Sequence, residues 1–202
     1  IPVMGERDPE KIPWEKYGVK TVIESTGVFR KSKEIKKHLR GTVKNVVMSA
    51  PPKSPDIPMY VIGVNDDQRN AEKIVSSASC TTNCAAPIVK LIDQKLGVVN
   101  SLMTTIHSYT SSQQLLDGSH AKDLRRGRAA AVNMIPTTTG AAKATAKVYP
   151  PIKGKFDGMA VRVPTITGSL TDFVFHTQKE TTTEEVNNIF IEASQGKLKG
   201  II

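Results

Sequence analysis

The 202-residue sequence predicts an α/β protein in which the later part of a parallel sheet is followed by an α+β domain with a large, mostly antiparallel sheet. Two observations predict this fold class. Up to residue 79, short stretches rich in β-branched residues alternate with a helical segment, as in parallel α/β units. From Cys80 onward, an apolar helical stripe and longer strand-like stretches follow instead. We therefore expect two domains, residues 1–79 and residues 80–202.

The first domain is predicted to contain a crossover helix and four strands. The helix covers Arg30–Arg40, where Ile35 and Leu39 mark an apolar face and lysines occupy the opposite one. We expect that basic face to be solvated. The strands are predicted at Val19–Glu24, Asn45–Ser49, Met59–Val64 and Lys73–Ser77.

The second domain is predicted to begin with a helix and a long strand. Ile88, Ile92 and Leu96 form an apolar stripe at helical spacing, and Val98–Tyr109 has the composition of a strand. The polar and basic stretch DGSHAKDLRRGRAAAVNM, residues 117–134, predicts a loop that is mobile or is ordered by a partner surface.

Two strands and a helix are predicted for the rest of the chain. GMAVRVP and SLTDFVFHTQK have the pattern of long antiparallel strands. Thr182–Gln195 is predicted as a helix, because its apolar residues fall on one face and Thr182 and Glu185 have the spacing of a capping box.

Composition and charge limit the function classes. The chain is 39% hydrophobic, which is enough for a core, and carries a net charge of +9. A nucleic-acid partner is not expected, because only 5% of the residues are aromatic and the basic run has no aromatic residues for stacking. The sequence lacks a membrane span and the order of a signal peptide, so we expect no membrane association and a cytoplasmic, reducing setting.

The segment SASCTTNCAAP, residues 77–87, sets Cys80 and Cys84 four residues apart. A zinc site needs about four ligands, and the histidines show no ligand spacing, so we expect no metal. A disulfide would need an oxidising setting. We expect Cys84 to be an inert core residue, because free cysteines are among the most buried residues. Cys80 lies among hydroxyls at a predicted helix start, where N–H groups favour a thiolate nucleophile.

Other polar residues are candidates for a site around Cys80. His107 lies near the end of the strand after the Cys80 helix and is the candidate base, with a structural histidine as the alternative. Arg162 lies in an apolar strand and needs either a bound anion or a structural carboxylate. Thr139 and Gly140 precede a good helix former, which favours an anion site, simple N-capping, or both.

Five segments in a fixed order carry a family resemblance: ESTGVF, SASCTTNCAAP, TTIHSYT, IPTTTGAAKA and GMAVRVPT. Together they resemble phosphorylating glyceraldehyde-3-phosphate dehydrogenases, over essentially the whole chain. The resemblance implies a Rossmann-type first domain and a catalytic second domain. It also implies oxidation of glyceraldehyde 3-phosphate to 1,3-bisphosphoglycerate with inorganic phosphate, through a thiohemiacetal and a thioester on Cys80.

The resemblance assigns roles to individual residues. Cys80 is the implied nucleophile and His107 the implied base. Thr110 and Arg162 match residues that hold the substrate phosphate, and Arg126 matches an arginine that reaches the same anion region. The groups around the attacking inorganic phosphate are matched by Ser79, Thr81, Thr139 and Gly140.

The resemblance implies NAD or NADP as cofactor, although the chain contains only part of such a site. No two glycines are separated by a single residue, so the glycine-rich dinucleotide fingerprint is absent. We therefore expect an internal fragment without the family's N-terminal and C-terminal ends, inactive alone. Gly118–Ser119 favours tolerance of NADP beside NAD, with a flexible turn as the alternative. The remaining cofactor residues are expected to be Arg7, Thr26, Gly27 and Ser49.

The resemblance also implies a homotetramer, with the loop Tyr109–Val132 against a neighbouring subunit. Three alternative functions remain open at this point. An erythrose-4-phosphate dehydrogenase would share nearly every motif, a Cys–His hydrolase would need no nicotinamide, and a basic nucleic-acid-binding protein would use the charge of +9.

Overall fold

The computed structural model describes all residues, Ile1–Ile202. The chain divides into two compact units, residues 1–83 and residues 84–200, so the division falls shortly after the predicted boundary between residues 79 and 80.

The first unit is built on a parallel sheet of three strands in the order β1-β2-β3. This confirms the predicted parallel α/β arrangement. The strands are β1 (Thr21–Glu24), β2 (Asn45–Met48) and β3 (Ile74–Ser76). Its core contains the buried apolar residues Val22, Ile35, Val43, Val46, Met48 and Ile57.

The helix in the crossover between β1 and β2 is shorter than the predicted helix Arg30–Arg40. It consists of α1 (Ser32–Ile35) followed by a 3-10 turn at Lys36–His38. The start is fixed by Glu34, whose carboxylate accepts the backbone N–H groups of the two residues before α1. Ile35 is fully buried, as its position on the apolar face predicted.

The predicted strand Met59–Val64 does not form. The segment is a series of turns with a single parallel bridge from Met59 to Ser76. Two of its apolar side chains, Val61 and Val64, are nevertheless buried, because the side chain of Asn65 closes the turn. The Asn65 amide accepts the Val61 N–H at 2.9 Å and donates to the Met59 carbonyl at 3.0 Å.

The helix α2 (Cys80–Leu96) begins in the first unit and continues through Pro87 into the second. Of the predicted apolar stripe, Ile92 and Leu96 belong to the core of the second unit, together with the adjacent Val89. Ile88 is only half-buried.

The second unit contains a four-stranded sheet in the order β5-β6-β4-β7. β4 pairs in parallel with β6, whereas β4–β7 and β5–β6 are antiparallel, so the sheet is mostly antiparallel as predicted. The strands are β4 (Val98–Ser108), β5 (Ile135–Thr138), β6 (Phe156–Val163) and β7 (Ser169–Thr177).

Two helices besides α2 belong to the second unit: α3 (Ala141–Val148) and α4 (Thr183–Gln195). Thr182 caps α4 and forms the predicted capping box with Glu185. The long segment between β4 and β5 contains only a 3-10 turn at Leu124–Gly127. No helix in the structure combines the length and the apolar character that crossing a membrane requires.

Candidate active site

Cys80 is the first residue of α2, and its side chain is exposed. Ser79 caps the helix, because its hydroxyl oxygen accepts the Thr82 N–H at 3.2 Å. The Thr81 hydroxyl oxygen lies 3.8 Å from the Cys80 sulfur. The first turn of α2 therefore presents a thiol beside a hydroxyl, at the helix end where a negative charge is favoured.

The turn that leads into α2 is tightly held. Ala78 adopts a left-handed backbone conformation with φ of 61°. The side-chain amide of Asn83 donates to the carbonyls of Ser77, at 2.7 Å, and of Ser79, at 2.9 Å. The two residues before Cys80 are thus fixed by a side chain from the first turn of the helix.

Cys84 is exposed, so its prediction as an inert core residue was wrong. It lies one helical turn after Cys80, and residues four apart share a helix face. The face that exposes Cys80 therefore exposes Cys84 as well. Neither cysteine forms a disulfide.

In the second unit, His107 and Arg162 are neighbours on the paired strands β4 and β6. The imidazole Nδ1 lies 2.7 Å from the Ser108 carbonyl oxygen and 2.8 Å from Nη1 of Arg162. Arg162 Nη1 also donates to the Ser108 carbonyl at 3.0 Å. The carbonyl can only accept and the guanidinium can only donate, so Nδ1 donates in the first contact and accepts in the second, which belong to the two different tautomers. The tautomer with its proton on Nδ1 donates to Ser108 and has the lone pair on Nε2.

The surroundings of His107 favour the neutral form of its imidazole. Its side chain is buried, with 8% of the residue exposed. Burial lowers the pKa of His107 below its ordinary value, the hydrogen bond to Ser108 opposes this, and the positive charge of Arg162 lowers the pKa further. A neutral imidazole with a lone pair on Nε2 is suited to accept a proton.

Arg162 is half-buried, as expected for a charge within an apolar strand. The contacts just described, with the imidazole of His107 and the Ser108 carbonyl, are neither the anion nor the carboxylate that the sequence suggested. Arg162 therefore influences the candidate base directly.

The remaining predicted anion-binding residues of the second unit have separate partners. Arg126 donates through Nε to the Thr137 hydroxyl at 3.0 Å and lies 3.9 Å from Asp123. The Thr139 hydroxyl accepts the Ala141 N–H at 3.2 Å.

Gly140 and Thr110 are both exposed. Gly140 occupies the N-cap position of α3. The Thr110 hydroxyl lies 2.9 Å from that of Ser112. The Thr139 hydroxyl thus accepts the first N–H of α3 from the position before the N-cap. Thr110, Arg126 and Thr139 each bond to a different partner.

Three of the predicted cofactor residues follow the carboxyl ends of adjacent parallel strands. Thr26 and Gly27 come after β1, and Ser49 follows β2 directly, with its N–H donated to the Glu24 carbonyl at 3.0 Å. This edge is where open α/β sheets bind ligands. All three residues are exposed, as is Arg7 in the N-terminal segment. Open space surrounds the position that a Cβ on Gly27 would occupy.

The sequence did not identify Glu24 as a site residue. Its buried carboxylate accepts the N–H of Thr26 at 2.8 Å and a hydrogen bond from the Thr26 hydroxyl, and lies 3.1 Å from Nε2 of His38. Glu24 therefore builds the Thr26 turn, and both Thr26 donors are used within it. A charge inside an apolar strand was the available signal, because such a charge requires partners.

The structure thus assembles the site residues within each unit. Ser79, Cys80 and Thr81 form the first turn of α2 in the first unit. His107 and Arg162 meet in the second unit, which also contains Thr110, Arg126, Thr139 and Gly140. No group of three or more His, Cys, Asp or Glu side chains is arranged to hold a metal ion.

Comparisons with known proteins identify the family of the chain. Residues 79–202 match the family model described as the glyceraldehyde 3-phosphate dehydrogenase, C-terminal domain. The whole chain is 56% identical to glyceraldehyde-3-phosphate dehydrogenase 1 of Bacillus cereus, covering 60% of that protein. It is also 52% identical, over all of its length, to the chloroplastic A enzyme of Scenedesmus vacuolatus, covering 64% of it.

A fungal relative extends the same pattern. Over 98% of this chain, the sequence is 51% identical to glyceraldehyde-3-phosphate dehydrogenase 1 of Trichoderma koningii, covering 58% of it. The chain therefore spans about 60% of the length of the relatives it matches. These relatives lend no support to an erythrose-4-phosphate dehydrogenase, a hydrolase or a nucleic-acid-binding protein. A match over residues 79–202 and more than 50% identity over nearly the whole chain establish that it belongs to the glyceraldehyde-3-phosphate dehydrogenase family.

Proposed function

We propose that the protein containing this chain oxidises glyceraldehyde 3-phosphate to 1,3-bisphosphoglycerate with NAD or NADP and inorganic phosphate, a reaction of glycolysis and gluconeogenesis. The observation that carries the proposal is the position of Cys80. In a chain of this family, it is an exposed thiol on the first turn of a capped helix.

Cys80 is the nucleophile in this proposal. Its thiolate adds to the aldehyde carbon and forms a carbon–sulfur bond while the carbon–oxygen π bond breaks. The oxygen takes up the proton that the Cys80 thiol released, which gives a thiohemiacetal. The amino end of α2 favours the thiolate, and the Thr81 hydroxyl, 3.8 Å from the sulfur, is able to donate to it. The backbone N–H of Cys80 is the proposed donor to the developing oxyanion.

His107 is the proposed base. Its Nε2 accepts the hydroxyl proton of the thiohemiacetal while hydride leaves the same carbon, so that a thioester remains on Cys80. An oxygen of inorganic phosphate then attacks the thioester carbon, and the Cys80 thiolate leaves. Burial and the Arg162 charge lower the pKa of His107, which supports this role because only the neutral form of an imidazole can accept a proton.

The exposed edge formed by Thr26, Gly27 and Ser49 fits a nicotinamide cofactor, because it offers polar groups and open space at the strand ends. These residues, with Arg7, would hold it. The bound dinucleotide supplies the acceptor for the hydride. Glu24 fixes the Thr26 turn, because its carboxylate accepts hydrogen bonds from the N–H and the hydroxyl of Thr26.

The anion-binding residues divide into two proposed groups. Thr110 and Arg162 bind the phosphate of the aldehyde, and Arg126 extends the same positive region. The inorganic phosphate is bound by hydroxyl and N–H groups near the starts of α2 and α3, from Ser79, Thr81, Thr139 and Gly140. Helix starts suit this task, because their N–H groups point toward the anion.

We also propose a cytoplasmic homotetramer. Two cysteines that form no disulfide support a reducing setting. Leu102, Leu170 and Val174 are each more than 60% exposed on β4 and β7, so the sheet has an apolar surface that subunit contacts would cover.

Single-turnover hydride transfer in the full-length protein tests the proposed mechanism. Cys80→Ser should abolish the transfer, whereas Cys84→Ser should leave it close to wild type because Cys84 has no proposed role. His107→Asn should slow it by roughly 10² to 10⁴, the usual contribution of a general base. Transfer that persists in Cys80→Ser would show that the nucleophile is another residue.

Substrate and cofactor choice need separate measurements. The catalytic efficiency with glyceraldehyde 3-phosphate should exceed that with erythrose 4-phosphate. For the cofactor, Ser119→Pro should lower the NADP-to-NAD efficiency ratio, because a serine hydroxyl can donate to a 2′-phosphate and proline cannot. An unchanged ratio would remove Ser119 from cofactor selection.

A further inference from the structure

The backbone immediately before Cys80 contains an unfavourable conformation. Ala78 is the only residue other than glycine with a positive φ, at 61°, and it is buried, with 1% exposed. The left-handed region is disfavoured for residues with a Cβ, so other contacts must hold Ala78 there. Such strain is concentrated at functional sites, and this residue lies two positions before the proposed nucleophile.

Asn83 supplies contacts on both sides of Ala78. Its Nδ2 donates to the carbonyl of Ser77 at 2.7 Å and to the carbonyl of Ser79 at 2.9 Å. In addition, the Ser76 hydroxyl oxygen accepts the Ala78 N–H at 3.0 Å. One amide group thus holds the two peptide planes that flank the Ala78–Ser79 peptide.

The second of these planes reaches Cys80 directly. The Ser79 carbonyl and the Cys80 N–H belong to the same planar peptide unit, so fixing the carbonyl also fixes the direction of that N–H. The Ser79 carbonyl additionally accepts the backbone N–H of Asn83 at 2.9 Å, as the first bond of α2. The side chain and the main chain of Asn83 therefore act on the same oxygen.

We infer that Asn83 is a positioning residue for the Cys80 nucleophile: its side-chain amide keeps Ala78 in the left-handed conformation and thereby aims the Cys80 N–H and thiol at the amino end of α2. The inference rests on the proposed role of Cys80. It requires an amide of this length, because one nitrogen must donate two hydrogen bonds, which aspartate cannot do. Since Asn83 is exposed, its replacement leaves the core intact.

Thiol labelling in the full-length protein tests the inference without turnover. The rates of iodoacetamide reaction at Cys80 and Cys84 are measured together by peptide mass spectrometry, so that Cys84 is an internal reference. Asn83→Ala should slow Cys80 labelling about tenfold, a factor that corresponds to about 1.4 kcal/mol, while Cys84 keeps its rate. The isosteric Asn83→Asp should behave alike, and Asn187→Ala, an exposed helical asparagine in α4, should change neither rate.

A second background distinguishes positioning from a general structural role. In Ala78→Gly the left-handed conformation no longer carries a Cβ penalty, so the turn depends less on Asn83. When Asn83→Ala is combined with Ala78→Gly, it should slow Cys80 labelling only about threefold. An equal factor in both backgrounds, an unchanged Cys80 rate, or an equal fall at both cysteines would overturn the inference.

Failure of the proposed function would be recognised separately. Hydride transfer that survives in Cys80→Ser would remove Cys80 from the mechanism while leaving the labelling results as a measure of how Asn83 positions the thiol. If Cys80→Ser is inactive and Asn83 has no effect on Cys80 labelling, only the positioning inference is wrong.

Discussion

Replacing Tyr149 by Phe tests the contact that joins the end of α3 to α2 within the second unit. The Tyr149 hydroxyl donates to Oδ2 of Asp93 at 2.8 Å, and both side chains are half-buried. The ring of Tyr149 also packs against the core of this unit. Because Phe keeps the ring, the substitution removes the hydrogen bond and little else.

The expected cost follows from the charge and the exposure of the acceptor. A hydrogen bond to a charged group contributes about 1.5–3 kcal/mol to stability. Water reaches both half-buried side chains, so the lower value, about 1.5 kcal/mol, applies here. For a unit of this size, in which 1 kcal/mol corresponds to roughly 3–6 °C, the loss corresponds to a decrease of about 5–9 °C in the unfolding temperature.

Thermal unfolding of the full-length protein is the assay, with Asp93→Asn as the second background. Asparagine keeps the Oδ1 acceptor that receives the Val98 N–H at 2.9 Å, but removes the charge that Tyr149 faces. Tyr149→Phe should therefore cost less in that background. A decrease below about 1 °C, or the same decrease in both backgrounds, would refute the reasoning.

The same contact predicts a pH effect. Burial and the Asp93 carboxylate raise the pKa of Tyr149 in the folded protein. The unfolded chain therefore loses this proton first, near pH 10, and the stability contribution present below that pH declines as the pH rises further. Tyr149→Phe should remove this part of the alkaline loss of stability.

Three further predictions concern His107, the α4 cap and β6. The imidazole of His107 should titrate by NMR below its ordinary range, and Arg162→Gln should raise that pKa, because a positive neighbour is removed; a fall would contradict the assigned contact. Thr182→Ala should cost about 1 kcal/mol in denaturant unfolding, because it removes the N-cap bond, and Thr183→Ala is the matched control, so equal losses would argue against the cap. Gly158→Ala should lower the unfolding temperature more than Thr182→Ala or Thr183→Ala does, because its Cβ would lie 2.6 Å from the Met103 carbonyl oxygen of β4. Unchanged stability would show that β4 and β6 can separate there without cost.

Local sequence signals predicted the elements whose stability is local. The α4 helix begins where Thr182 and Glu185 indicate, because each satisfies a backbone N–H of the other. The segment Met59–Val64 was wrongly predicted as a strand, because its β-branched residues reflect burial and not strand pairing. Val61 and Val64 are indeed buried, but a side-chain-closed turn buries them without strand pairing.

The sequence identified the residues of the candidate site, but it predicted their exposure and their contacts less well. The spacing of Cys80 and Cys84 already implied a shared face, and the general tendency of cysteine to be buried was the wrong guide for Cys84. The contact between His107 and Arg162 depends on which strand lies beside β4, and strand order is set by long-range packing. No local pattern contains it.

The pairing of β4 with β6 connects the accuracy of folding to the chemistry of the base. His107 lies opposite Arg162, and the neighbouring pairs place valines, Val161 and Val163, opposite the residues on either side of His107. A slip of one residue would put a valine beside the imidazole and turn the arginine to the other face of the sheet. The pKa of His107 therefore depends on the register of β6 against β4. A substitution elsewhere in β6 that shifts this register would change the pKa of His107 without contacting the imidazole.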